Sequence, residues 1–351
     1  MTMVRIWVHD GILASGVSGP IDVLAAANVL AGKGAPTNPH FEWRVESLDG
    51  HSVRAASGQM IAVDGRIDPA AQSDVVVVTA PFVADMDAFI ARGDRLRALS
   101  AALLRQHRGG AVVAAYCTGS YLLAEAGLLD GRVATTHWQR AADFARRYPR
   151  VQLRAGEILT EQDGILCGGA VTSFLDLAVR LVEKFAGAQL ASVTAKTLLI
   201  DAGRVSQASY ASLISQHGHA DPLVARAQRR MEDALCQPFR LAELAAHLAV
   251  SERTLSRRFQ QAVRMPPLEY LQRLRVEVAK KLLETTGICL EEVSERVGYS
   301  DPSTFRQLFR RLTGLTPREY RLRFSVLRGQ PNPSAGASSP QPHWTDPAPR
   351  L

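Results

Sequence analysis

Hydrophobic positions in the first two hundred residues fall into two alternating patterns. Short runs rich in β-branched residues at Val4 to Val8, Trp43 to Leu48, Val75 to Thr79 and Val112 to Tyr116 predict strands. Amphipathic stretches of helical length sit between them, at Pro20 to Leu30, Leu96 to His107 and Ser120 to Ala126. Further helices are predicted at Trp138 to Arg147, Ser173 to Ala186 and Gln189 to Asp201. This alternation predicts an α/β fold around a mostly parallel sheet buried on both faces. Beyond Pro222 the β-branched runs stop and helical patterns take over, which predicts a separate all-α domain. The segment 205–222 is rich in Ser, Gln, His and Gly without a period and reads as a linker. The last stretch, 329–351, carries six prolines and cannot bury a core, so disorder is expected there. The predicted organisation is therefore an α/β domain at 1–204, a linker, a helical domain at 223–328 and a tail.

The helical third contains an internal repeat. Leu241 to Phe259 is echoed by Leu290 to Phe309, and Pro267-Leu-Glu-Tyr270 by Pro317-Arg-Glu-Tyr320. Each copy reads as helix, turn, helix. Leu241, Leu244 and Leu248 form an apolar stripe, Ser251 is placed to cap the next helix, and Leu255 with Phe259 turn to the core. Val293, Val297, Gly298, Asp301, Phe305 and Phe309 take the same positions in the second copy. Burying those apolar positions leaves Arg253, Ser256 and Arg257 exposed on one helix and Ser303, Arg306, Gln307 and Arg310 on the other. These side chains can donate to phosphates and purine edges in a major groove. A long helix at about Pro267 to Leu283 would hold the two readers at a fixed separation.

Charge sharpens that picture. The chain of 351 residues has a formal net charge of +7, yet residues 1–220 hold 20 basic and 20 acidic side chains. Residues 221–330 hold 20 basic and 13 acidic, so the whole excess lies in the repeat-bearing third, where 18 of the basic residues are arginine. A helix pair with exposed arginines can be a plain solvated bundle face, but duplication, charge and spacing together point to double-stranded DNA. Residues 223–325 resemble the DNA-binding domain of the AraC/XylS family of transcription regulators. The resemblance is carried by Gly298-Tyr-Ser-Asp301, Phe305-Arg-Gln-Leu-Phe-Arg310 and Gly314-Leu-Thr-Pro-Arg-Glu-Tyr-Arg321. It implies a seven-helix fold, an activator that meets RNA polymerase, and base reading by Arg253, Ser256 and Arg257. One departure is Arg264-Met-Pro-Pro267, where the family usually has Gly-x-Thr/Ser-Pro.

In the neutral part, the strand at Val112 to Tyr116 runs straight into Cys117-Thr-Gly-Ser120 and a helix. A cysteine there would lie at the carboxyl edge of the sheet beside a helix N-terminus, which favours thiolate. Thr118 and Ser120 are placed to cap, and His137 is a candidate base for the sulfur. Taken alone, such a cysteine is commonly a small buried hydrophobe and such a histidine a hydrogen-bonded one. Cys167 is assigned to packing. His217 and His219 lack neighbouring ligands, and four scattered cysteines show no zinc spacing, so no metal or other cofactor is expected.

The string Tyr116-Cys-Thr-Gly-Ser-Tyr-Leu-Leu-Ala-Glu-Ala-Gly-Leu-Leu-Asp-Gly-Arg-Val-Ala-Thr-Thr-His-Trp138 resembles the PfpI branch of the class I glutamine amidotransferase-like superfamily, over residues 4 to about 200. Together with the helical third, the chain resembles the GlxA family of regulators. The resemblance implies a flavodoxin-like, doubly wound parallel sheet, Cys117 and His137 at the floor of a pocket, and a homodimer. Enzymes of the branch place an acidic side chain beside the cysteine. The matching position here is Gly16, flanked by Ser15 and Ser18, with Asp22 in the following helix. The turn after Val78-Thr79-Ala80-Pro81 also lacks Pro-Gly-Gly. The expected function is a cytoplasmic DNA-binding regulator whose amino-terminal domain senses a small effector near Cys117, a nitrogen-containing or amino-acid-like metabolite. The alternatives are a Cys117-dependent hydrolase, hydratase, lyase or amidase carrying a DNA-binding appendage, or a redox sensor. No apolar run approaches membrane-spanning length.

Overall fold

The computed structural model describes residues 1–32, 41–91, 93–201, 206–207 and 221–325. The tail 329–351, most of the segment 205–222, and His217 and His219 lie outside the described residues.

The amino-terminal part is built on strands β1 (Thr2–Val8), β2 (Phe41–Ser47), β3 (Val53–Arg54), β4 (Met60–Ile61), β5 (Gly65–Arg66), β6 (Val75–Val78), β7 (Val112–Tyr116), β8 (Val133–Ala134), β9 (Gln152–Leu153), β10 (Leu159–Gln162) and β11 (Ile165–Gly168). Its helices are α1 (Ser15–Ala31), α2 (Met86–Ile90), α3 (Gly93–Arg108), α4 (Gly119–Glu125), α5 (Ala141–Arg147), α6 (Ser173–Ala186) and α7 (Ala188–Thr197), with a 3-10 turn at Trp138–Arg140. Seven strands form one sheet in the order β10-β11-β7-β6-β1-β2-β5, parallel except for β10. Among the parallel strands chain order runs outward from β1 in both directions, so the sheet is doubly wound, and β10 folds back antiparallel as the edge beyond β11.

Alternation along the strands divides the core. Val75, Val77, Ala114 and Tyr116 face one layer, with residues of α1 and α6, whereas Val76, Val78, Val113 and Ala115 face the other, with α3 and α4. Both faces are dry, which is why β6 and β7 are uninterrupted apolar runs.

Helix α1 begins five residues before Pro20, where the sequence predicts its start. A proline inside a helix leaves the carbonyl four residues earlier without its N–H partner. Here the orphan is Gly16, and the buried Tyr116 hydroxyl donates to its oxygen at 3.1 Å instead. The hairpin between β10 and β11 turns on Asp163 and Gly164, with φ of 50° and 75°, the left-handed pair a two-residue hairpin requires.

The second part holds α8 (Pro222–Asp233), α9 (Leu241–His247), α10 (Glu252–Val263), α11 (Pro267–Thr285), α12 (Leu290–Arg296), α13 (Pro302–Thr313) and α14 (Pro317–Phe324), seven helices among the described residues. They form two apolar clusters. Leu223, Leu244, Leu255, Phe259 and Tyr270 belong to the first, and Val276, Val293, Phe305, Phe309 and Tyr320 to the second. Helix α11 contributes to both. Ser251 accepts from Thr254 N–H at 3.2 Å and Asp301 from the N–H groups of Ser303 and Thr304 at 3.0 and 2.9 Å, so both second helices of the repeat are capped.

Candidate functional site

Cys117 stands at the end of β7 with φ of 55°, a left-handed conformation that costs a non-glycine residue about 1 kcal/mol or more. Its surroundings over-determine it. The Cys117 N–H donates to Gly168 O of β11 at 2.9 Å. Its carbonyl accepts from the Thr136 hydroxyl at 3.3 Å, and Ser120 donates to Thr136 Oγ1 at 2.7 Å. Thr118 does not cap α4: its hydroxyl donates to Pro81 O at 2.5 Å, tying the elbow to the loop after β6.

The electrostatics differ from the thiolate the sequence suggests. Cys117 is 4% exposed, and burial pushes its thiol up to about 11, against the opposing pull of the Thr118 N–H. The helix start beside it is too small an effect to offset that desolvation. At neutral pH the group is a thiol. Burial also lowers the pKa of His137, with the Arg140 guanidinium acting the same way, so its imidazole is neutral. His137 Nδ1 accepts from Gln139 N–H at 3.2 Å, and among the described residues no hydrogen bond joins it to Cys117.

The carboxylate position is filled by something else. A Cβ built on Gly16 would fall inside the Tyr116 hydroxyl and 2.8 Å from Cζ of the same ring. No acidic side chain fits there while Tyr116 keeps its place. Burial raises the Tyr116 phenol far above its ordinary value, so it remains a neutral donor to Gly16 O. Cys167 is fully buried in β11 with a thiol pushed up to about 12, which suits packing. Among the described residues no group of three or more His, Cys, Asp or Glu could hold a metal ion, and no helix is long and apolar enough to cross a membrane.

Behind the elbow lies a residue that sequence reasoning passed over. Gln207 is fully buried, with Nε2 2.8 Å from Thr136 O, 2.9 Å from Ala155 O and 3.3 Å from Thr135 Oγ1. Its backbone N–H donates to Gly156 O at 2.9 Å, and Ser206 Oγ donates to the same oxygen. A Cβ on Gly169 would lie 2.6 Å from the Gln207 amide, so glycine makes the room. No sequence signal marks Gln207 within a Ser- and Gln-rich stretch.

On the helical part, Arg253 and Arg257 of α10 and Ser303, Arg306, Gln307 and Arg310 of α13 are exposed, with Ser256 half-buried between the two arginines. None of these four arginines is in an ion pair among the described residues. Arg258, Arg273 and Arg296, by contrast, are paired with Asp221, Glu269 and Glu292. The unpaired cations therefore sit on the faces opposite Leu255, Phe259, Phe305 and Phe309.

A doubly wound α/β domain with a cysteine elbow, followed by two helix-turn-helix units on a shared helix, defines a class of one-chain DNA-binding regulators. The DJ-1/PfpI family profile matches residues 2–184 and that of a helix-turn-helix domain matches residues 244–323. The chain belongs to the DJ-1/PfpI family, in the group that carries an AraC-type helix-turn-helix domain. It is 31% identical over 288 residues to the HTH-type transcriptional regulator CdhR of Pseudomonas aeruginosa, covering 80% of this chain and 82% of that one. It is 28% identical over 324 residues to the HTH-type transcriptional regulator GbdR of the same species, covering 92% and 83%. The HTH-type transcriptional regulator GlxA of Rhizobium meliloti is 26% identical over 302 residues, covering 86% of this chain and 89% of that one. The protein is a DNA-binding transcription regulator.

Proposed function

We propose that the amino-terminal domain is a sensor rather than an enzyme, binding a small metabolite beside Cys117 and His137 and so altering how the helical domain occupies DNA. The observation that carries this reading is the pairing of Gly16 with Tyr116: the carboxylate that would move a proton at the cysteine has no room. A buried, protonated thiol with no hydrogen bond to His137 among the described residues does not make an activated nucleophile, though the two side chains can line a binding pocket. Burial opposes oxidation of Cys117 as well, because it is the thiolate, not the thiol, that attacks peroxide. Arg253, Ser256, Arg257, Ser303, Arg306, Gln307 and Arg310 contact the operator, in a cytoplasmic homodimer that activates transcription by meeting RNA polymerase. The division into domains at 1–204 and 223–328 around a linker belongs to the same proposal. Gln207 supplies a route for the signal, since its amide holds the Thr135–Thr136 segment whose hydroxyl bonds the Cys117 carbonyl.

The test is a thermal-shift screen of the full chain against a panel of small metabolites. A ligand at a hundred times its Kd stabilises by about 2.7 kcal/mol, well within detection. A hit should change operator binding or promoter output, and should still do so in Cys117→Ala. Turnover of the hit that disappears in Cys117→Ala would establish the enzyme instead. A hit that leaves DNA binding and output untouched would sink the sensor.

A further inference from the structure

We infer that Arg275 sets the separation and angle at which the two recognition helices, α10 and α13, meet DNA. It is a positioning residue for operator reading, and the inference rests on both helices reading one duplex.

The two halves of the helical region have separate apolar cores, and α11 runs through both. A single shared helix leaves two such units able to twist about it unless something crosses between them. Arg275 lies where α11 passes from one core to the other, with 7% of its surface exposed. Its Nε donates to Leu235 O at 2.9 Å and its Nη2 to Gln237 O at 2.7 Å, both in the connection after α8. The guanidinium carbon lies 5.1 Å over the ring of Tyr299, in the turn that leads into α13. Beside it, Cys236 Sγ donates to Arg296 O at 2.8 Å. Gly298 completes the contact, since a Cβ there would be 2.8 Å from both Arg275 Nη2 and Cys236 O.

Each end of this clamp leads to a recognition helix. The α8 side is tied to α10 by Asp221, which caps α8 and takes two hydrogen bonds from Arg258 at 2.8 and 2.6 Å. On the other side, Tyr299 is two residues from Asp301, the cap of α13. Arg275 has no carboxylate within ion-pair distance among the described residues. Among the described residues its charge is met by carbonyl oxygens and a ring face alone. A buried cation held this way adds little stability over an apolar side chain of similar volume, but it imposes direction. What it directs is the phase between two readers, and one base pair turns the second groove by about 34–36°.

The experiment starts from a duplex selected from a randomised pool by the full-length protein, with the segments under α10 and α13 located by footprinting. One or two base pairs are then inserted or deleted between them. The wild-type protein should lose about tenfold or more in affinity for each change of spacing. Arg275→Lys keeps the charge and stem, yet one ammonium cannot bridge both carbonyls and lie flat on the ring. Tyr299→Leu keeps apolar cover and removes the ring. In both, the penalty for altered spacing should fall to about threefold or less. Variants that lose affinity equally on every spacing, and so retain the wild-type preference, overturn the role of Arg275. If Arg275→Lys does not fold, Tyr299→Leu decides. A wild-type protein indifferent to spacing would sink the two-helix reading itself, a separate result.

Discussion

Tyr116 occupies at one point the space of a missing side chain and the place of a missing hydrogen bond. Its hydroxyl fills the position a side chain on Gly16 would take, and it donates to the carbonyl that Pro20 leaves unpartnered. The two roles are coupled, which a double-mutant cycle can measure. Gly16→Ala forces overlap in a packed core and should cost about 1–3 kcal/mol in urea unfolding, despite the better helix propensity of alanine. Tyr116→Phe should cost about 1 kcal/mol by leaving Gly16 O bare. Because the hydroxyl is the atom overlapped, the double variant should lose measurably less than the sum. Strict additivity would mean the helix moves aside instead. Cys117 gives a pH-dependent prediction. Its thiol rises from an ordinary 9.0 to about 11, so the contribution of the buried neutral form is complete below pH 9 and is lost as pH rises toward 11. Cys117→Ala should therefore flatten the alkaline fall in stability by up to about 2–3 kcal/mol relative to wild type. Near neutral pH, iodoacetamide should modify the exposed Cys289 of the folded protein and spare Cys117. Rapid labelling of Cys117 would show an accessible thiolate and reopen the enzyme reading.

Among the elements, the two repeat copies differ where the chain turns left-handed. Gly298 and Gly314 take φ of 79° and 78° in the second copy, and the equivalent positions in the first are Ala249 at 55° and Arg264 at 62°. Non-glycine residues held there are strained by about 1 kcal/mol each, so Ala249→Gly and Arg264→Gly should each stabilise by about 0.5–1 kcal/mol. Calorimetry of the full chain checks this; destabilisation by either change would show that side-chain contacts outweigh the strain. Much at this scale was legible in the chain. Burial on both faces made Val112 to Tyr116 a plain apolar run, and helical period fixed Ser173 to Ala186, because in each case one local pattern decided the outcome. The departure from Gly-x-Thr/Ser-Pro at Arg264 was visible too, and it proves to mark a backbone conformation. What escaped was decided elsewhere. The first turn of α1 depends on a hydroxyl a hundred residues away. Strands such as Gly65–Arg66 are too short to show a period. The Asp163-Gly164 turn carried a usable hairpin signal that the strand pattern alone did not exploit. The thiol state of Cys117 depends on how deeply the fold buries it, which spacing does not report.

For the molecule as a whole, the proposed sensor raises the question of how occupancy near Cys117 would reach a domain with a separate core. On the proposed sensor reading, releasing the side chain of Gln207, fourteen residues before Asp221, the cap of α8, would pass the signal along the chain to the helical domain. The docked state carries a cost. Nε2 finds three oxygens, but Oε1 is buried without a partner among the described residues, and an unmet acceptor costs about 1–3 kcal/mol. On the sensor reading, a ligand that moves the Thr135–Thr136 segment would have that much less to overturn. Three substitutions should release the Gln207 side chain by different means. Gln207→Ala removes the donor, and Gln207→Glu turns it into an acceptor facing acceptors. Gly169→Ala places a methyl where the amide now lies, 2.6 Å from its atoms. Each should leave operator binding intact while making promoter output insensitive to any effector that the wild-type protein obeys, with output set at one level. The Gly169→Ala result matters most, since it displaces the Gln207 side chain without changing that residue's chemistry. If all three variants respond to effector as the wild-type protein does, the signal does not pass through Gln207, and dimer geometry becomes the route to test.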